Sequence, residues 1–146
     1  MASARSSQKI VVGTDGSPNA HRAISWAIEN AHEGDTVVLV HAWQPFVYGS
    51  ELTMAYTIND EDAGKILESD FNSFADKAAA HKVKFEKVLV QADARTALKN
   101  QNGDLLVVGA RGHGAFLGAL LGSVADYYAR HSDVPVVIIP SEHTKN

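Results

Sequence analysis

The feature that most constrains this chain is an alternation of two hydrophobic periods. Short apolar runs rich in β-branched residues occur at 9–14 (KIVVGT), 36–43 (TVVLVHAW), 83–91 (VKFEKVLVQ), 105–109 (LLVVG) and 134–140 (VPVVIIP). Near-continuous apolar runs of this length read as strands covered on both faces. The segments between them carry their apolar residues at helical spacing instead. Ser17 followed by Pro18 gives a helix cap and a proline at the first helical position. Ala20, Ala23, Ile24, Ala27, Ile28 and Ala31 then mark one apolar face, and Gly34-Asp35 stops the helix. A long helix is predicted over roughly 61–82. Its stripe is Ala63, Leu67, Phe71, Phe74 and Ala78, with Glu, Asp, Lys, Asn and Ser residues on the opposite face. DARTALKNQNGD holds a short helix stopped at Asn102-Gly103, and a last helix runs from about Ser123 to Ser132.

The resulting order, βαβαβαβαβ, predicts an α/β fold: a doubly wound, five-stranded parallel sheet with helices on both faces. The expected strand order is 3-2-1-4-5, which reverses between strands 1 and 4. Ligands in such sheets sit outside the carboxyl ends of the strands at that switch point. Two segments end there, GTDGSP after strand 1 and GARGHG after strand 4. Residues 44–60 show no clean period, and loops of that length are usually functional or mobile.

Composition narrows the classes. The 146 residues suit one domain, expected over 1–146 with an ordered core from about 9 to 140. There is no cysteine, so disulfide and thiolate chemistry are excluded. The net charge of −4 argues against a nucleic-acid binder. No apolar run approaches the roughly 20 residues needed to span a membrane, and no apolar stretch follows MASARSSQK before the first strand, so no signal peptide is read. The expectation is a cytoplasmic protein.

The stretch GARGHGAFLGALLGS (109–123) spends five glycines between a strand and a helix. It is not a Walker A loop, since Gly122-Ser123 is preceded by Leu121 and followed by Val124. It is not the G-x-G-x-x-G fingerprint, since Leu117 stands where the third glycine belongs. A phosphate site is still physically sensible. Gly109 and Gly112 would let an anion reach backbone N–H groups. Gly122 and Ser123 open a helix whose N-terminus offers free donors and a positive dipole end. The competing reading is a tight turn at Gly109 and Gly112 and a plain N-cap at Ser123. Asp15, at the end of strand 1, suits sugar hydroxyls or a Mg²⁺ bridging to phosphate. Its plain reading is an Asx turn ahead of Gly16. Arg111 would either neutralise phosphate charge or stay solvated. His41 is expected to be a satisfied core histidine, and His113 to be exposed. Trp43, Phe46, Tyr48 and Tyr56 gather in and before the long loop, with Trp43 read as core. No H-E-x-x-H or G-x-S-x-G motif occurs.

The string Gly109-x-x-Gly112, nine residues, then Gly122-Ser123 resembles the nucleotide-binding signature of the universal stress protein family. KIVVGTDGSPNAHRAISWA, DLLVVGARGHG and LLGSVADYYARHSDVPVVIIP are similar to that family's opening, fourth-strand and closing blocks, so the likeness runs from about Lys9 to Pro140. It implies a flavodoxin-like or Rossmann-like fold and binding of ATP, ADP or AMP. By position it implies that Asp15 holds the ribose side, that Ala42 borders the adenine through its backbone, and that Gly109, Gly112, Gly122 and Ser123 contact phosphates. Thr14 and Val124 would be their neighbours. It also implies a homodimer joined through the last strand, 135–139, which should be a sheet edge limited by Pro135 and Pro140. One departure is QADARTALKNQNGD, which has no Gly or Pro before Gly103, leaving Ala94 and Arg95 on that wall.

The function expected is a regulatory module of the stress response that binds an adenine nucleotide. The alternatives are a slow ATP hydrolase, a ligand-free structural dimer and a flavin electron carrier. Hydrolase parts are thin: no catalytic lysine, arginine clamp or water-positioning base stands beside the glycines, and Asp15 with Mg²⁺ is the one candidate.

Overall fold

β-Branched residues pack well on a pleated surface, and the apolar runs do form strands. The computed structural model describes residues 6–44, 60–111 and 121–141. Strands β1 (Lys9–Gly13), β2 (Thr36–Trp43), β3 (Lys84–Gln91), β4 (Leu105–Gly109) and β5 (Val136–Ile139) make one parallel sheet in the order β3-β2-β1-β4-β5. That is the order the alternation predicts. Helices α1 (Pro18–Asn30) and α2 (Asp60–Ala80) cover one face, α1 over β1, β4 and β5 and α2 over β2 and β3. Helices α3 (Ala94–Lys99) and α4 (Ser123–His131) cover the other.

The period of two along each strand divides the core between the faces. Ile10, Val12, Val37 and Leu39 pack with Ile24, Ala27, Ile28 and Leu67. Val11, Val38, Val40 and Val108 pack with Leu98, Ala125 and Tyr128. Each such aliphatic side chain contributes about 1.5–3 kcal/mol by leaving water.

Local signals set most element ends. Ser17 caps α1, its side chain accepting from the Ala20 N–H at 3.1 Å, with Pro18 as the first helical residue. The acids Asp60, Glu61 and Asp62 sit in the first turn of α2, against the positive end of its dipole. Two details differ from the sequence reading. The cap of α4 is Gly122, not Ser123, and no side chain completes it. Helix α3 ends at Lys99, earlier than Asn102-Gly103. Asn102 takes the left-handed turn (φ 53°), while Gly103 is required by space, since a Cβ there would lie 2.5 Å from Val11 Cγ2.

Candidate functional site

The registers put Val12 opposite both Leu39 and Val107, so β1 and β4 end near each other at the carboxyl edge while β2 runs three residues past Val40, the partner of Gly13. Thr14 stays attached there, its N–H donating to Val40 O at 2.9 Å. Thr14 and Asp15 therefore lie beside the end of β2, where Ala42 sits. Across the switch point, the Ala110 N–H donates to Ile139 O at 2.7 Å, and the Gly122 N–H donates to Ala110 O at 2.6 Å. The second bond closes the glycine segment, so its two ends touch. One edge thus gathers Thr14, Asp15, Ala42, Gly109, Arg111, Gly122, Ser123 and Val124. Gly112 lies outside the described residues, as do His113, Phe46, Tyr48 and Tyr56.

The groups at this edge are of the kinds that can hold an anion and sugar hydroxyls. The first N–H groups of α4 have no partner within the helix, and its dipole favours negative charge. Ser123 is exposed as the first helical residue. Asp15 does form the Asx turn: its Oδ1 accepts from the Ser17 N–H at 2.9 Å, and Gly16 takes φ +81°. That bond fixes the carboxylate at the mouth of the site.

Two residues that shape the edge escaped the sequence reading. Asn19, on the first turn of α1, is buried, and its carboxamide bonds the backbone at the ends of both β4 and β5. By its residue type Asp70 belongs with the acids of α2 on the polar face. It is only 4% exposed, accepts from Thr14 Oγ1 at 2.6 Å and pairs with His21 Nε2 at 2.7 Å. Thr14 Oγ1 in turn accepts from the Gly16 N–H at 3.1 Å. Helix α2 thereby holds the turn that carries Asp15. A signal existed: Asp70 stands seven residues after Ala63 and three after Leu67, on the apolar period.

His41 corrects an expectation. It is buried, at 3% exposure, but only half satisfied. Nδ1 lies 2.7 Å from Thr14 O, whereas Nε2 has no hydrogen-bond partner among the described residues. A carbonyl only accepts, so Nδ1 carries a proton.

The wall after β3 is built differently from the glycine edge. Asp93 caps α3, with Thr96 Oγ1 donating at 2.8 Å and the Thr96 N–H at 3.2 Å. These bonds, the hydroxyl's first, hold the Asp93 carboxyl below its ordinary value. Arg95 faces Asp93 at 3.5 Å and lies 5.3 Å over the Tyr127 ring. Its carbonyl accepts from the Tyr128 hydroxyl, and burial pushes that hydroxyl's pKa up. Arg95 therefore joins α3 to α4.

A family model described as the universal stress protein family matches residues 6–140. The chain belongs to the universal stress protein family. Among curated relatives, universal stress protein Rv2623 of Mycobacterium tuberculosis is 35% identical over 150 residues, covering 97% of this chain and 50% of that protein. The chain spans about half the length of the curated relatives it matches. A solved universal stress protein in complex with cAMP is 32% identical with a TM-score of 0.62, covering 94% of this chain and 98% of its own. The Arabidopsis thaliana family member At3g01520, solved with AMP bound, shares the fold at 20% identity and a TM-score of 0.62, covering 92% of each chain. Among the described residues, no helix is long and apolar enough to cross a membrane.

Proposed function

We propose that this universal stress protein binds an adenine nucleotide at the carboxyl edge of its sheet and works as a regulatory module in the stress response. The observation that carries the reading is the Gly122 N–H to Ala110 O bond, which brings the two ends of the glycine segment together at the start of α4. A relative of 32% identity is a cAMP complex, and its likeness covers 94% of this chain, so the reading does not rest on fold alone. In the proposed complex Asp15 takes the ribose hydroxyls and the backbone at Ala42 borders the adenine. Phosphates lie between the Gly109–Gly112 turn and the Gly122-Ser123 helix start, with Thr14, Arg111 and Val124 around them. ATP, ADP and AMP all fit this chemistry. Among the described residues, no group of three or more His, Asp or Glu side chains gathers to hold a metal. Mg²⁺ would therefore arrive with the phosphates and keep most of its water, Asp15 supplying at most one ligand.

A panel of ATP, ADP, AMP, cAMP and GTP in thermal-shift measurements tests the proposal, because a ligand that binds only the folded state raises the melting temperature. The adenine nucleotides are expected to raise it and GTP to leave it unchanged. No shift with any adenine nucleotide overturns the reading.

A further inference from the structure

Asn19 is 8% exposed, and each polar atom of its carboxamide meets backbone. Nδ2 donates to Ile139 O at 3.1 Å and to Pro140 O at 3.2 Å. Oδ1 accepts from the Arg111 N–H at 2.8 Å. One side chain on α1 thus pins the end of β5 and the first peptide of the glycine segment. Gly109 packs directly against it. A Cβ on Gly109 would lie 2.8 Å from Asn19 Oδ1 and 2.9 Å from Cγ, closer than real side chains come. Asn19 cannot swing aside cheaply. Its side chain has two torsions, and moving it breaks buried hydrogen bonds to three backbone groups.

We propose that Asn19 is the positioning residue for the nucleotide's phosphates and that Gly109 is glycine to admit this carboxamide, not to admit a phosphate. The first half rests on the adenine-nucleotide reading; the second does not. The peptide whose N–H Oδ1 holds, Ala110–Arg111, also carries the carbonyl that accepts from the Gly122 N–H at 2.6 Å. Asn19 is thereby tied through one peptide to the start of α4, where the first N–H groups of the helix are free to meet an anion. Nothing in the Asn19 contacts reaches toward Ala42, so an adenosine without phosphates should not sense the substitution. Arg22 supplies a control: its Nη1 also donates to Pro140 O, at 2.6 Å, and tethers β5 independently.

The experiment compares wild type with Asn19→Ala, Gly109→Ala, the double variant and Arg22→Ala. It reads ligand-free melting temperature and the affinities for ATP and adenosine. Asn19→Ala is expected to weaken ATP about tenfold, one buried hydrogen bond's worth. Adenosine affinity should stay within about twofold of wild type, the spread of independent effects. Gly109→Ala should lower the melting temperature in wild type and much less once Asn19 is alanine, since the two closest contacts are then gone and only the one to Arg111 O, at 3.2 Å, remains. Arg22→Ala should keep wild-type ATP affinity. Unchanged ATP affinity in Asn19→Ala overturns the proposal, as does equal loss of ATP and adenosine, or additive effects of the Asn19 and Gly109 substitutions on melting. If Asn19→Ala does not fold, Gly109→Ala carries the test alone, because displacing the carboxamide predicts the same ATP-selective loss. If wild type binds neither ligand, the nucleotide reading and the phosphate half fall together, while the ligand-free melting cycle still decides why residue 109 is glycine.

Discussion

At the residue scale the site rests on polar side chains that the glycine signature does not contain. Thr14 makes four hydrogen bonds: its N–H to Val40, its carbonyl from His41, its hydroxyl to Asp70 and from Gly16. Asp70→Ala leaves that hydroxyl and His21 without their buried acceptor, at an expected cost of about 1–3 kcal/mol in urea unfolding. A cost near zero would mean that water replaces the carboxylate freely. Gly122 separates contact from conformation in the opposite sense. Its φ of −71° and ψ of 168° are open to any residue, so glycine is not demanded by the backbone. Gly122→Ala should therefore cost at most about 1 kcal/mol of stability, yet weaken ATP binding in a direct titration. Wild-type affinity in this variant would remove Gly122 from the phosphate site. The Asx turn at Asp15 was legible because turn chemistry is local. The bonds of Asp70, of Asn19 and of His41 Nδ1 were not, because their partners lie 27 or more residues away in sequence.

At the element scale, strands and helices were readable to within a few residues, since each combines a hydrophobic period with a local stop. The errors occurred where space decides instead. Gly103 packs on Val11 after α3 has already ended, and Gly122 caps α4 in place of Ser123. Helix α3 has six residues, too short to persist alone. Its cap should therefore matter. Asp93→Ala is expected to cost about 1 kcal/mol at neutral pH by urea denaturation. The folded-state pKa of Asp93 is depressed, so its stabilisation is present above the unfolded value and lost as pH falls through the folded one. The gap between wild type and Asp93→Ala should accordingly close below about pH 4. A gap that stays constant into acid would contradict the cap's ionic character.

At the scale of the whole molecule, the alternation of periods fixes the layers, and right-handed crossovers leave few orders besides 3-2-1-4-5. The order places β5 at an edge, with Val136, Val137 and Ile138 half-buried between Pro135 and Pro140. We propose that two copies pair through this strand. Analytical ultracentrifugation should then find a dimer at micromolar concentration, and a monomer throughout would reject the pairing. The same order makes one switch point, and the glycine segment, Asp15 and the end of β2 converge on it. The central claim is that this convergence is a nucleotide site. Calorimetric titration of ATP into the purified wild-type chain decides this: saturable heat with one site per chain is expected, and no binding heat with ATP, ADP or AMP would rule the site out.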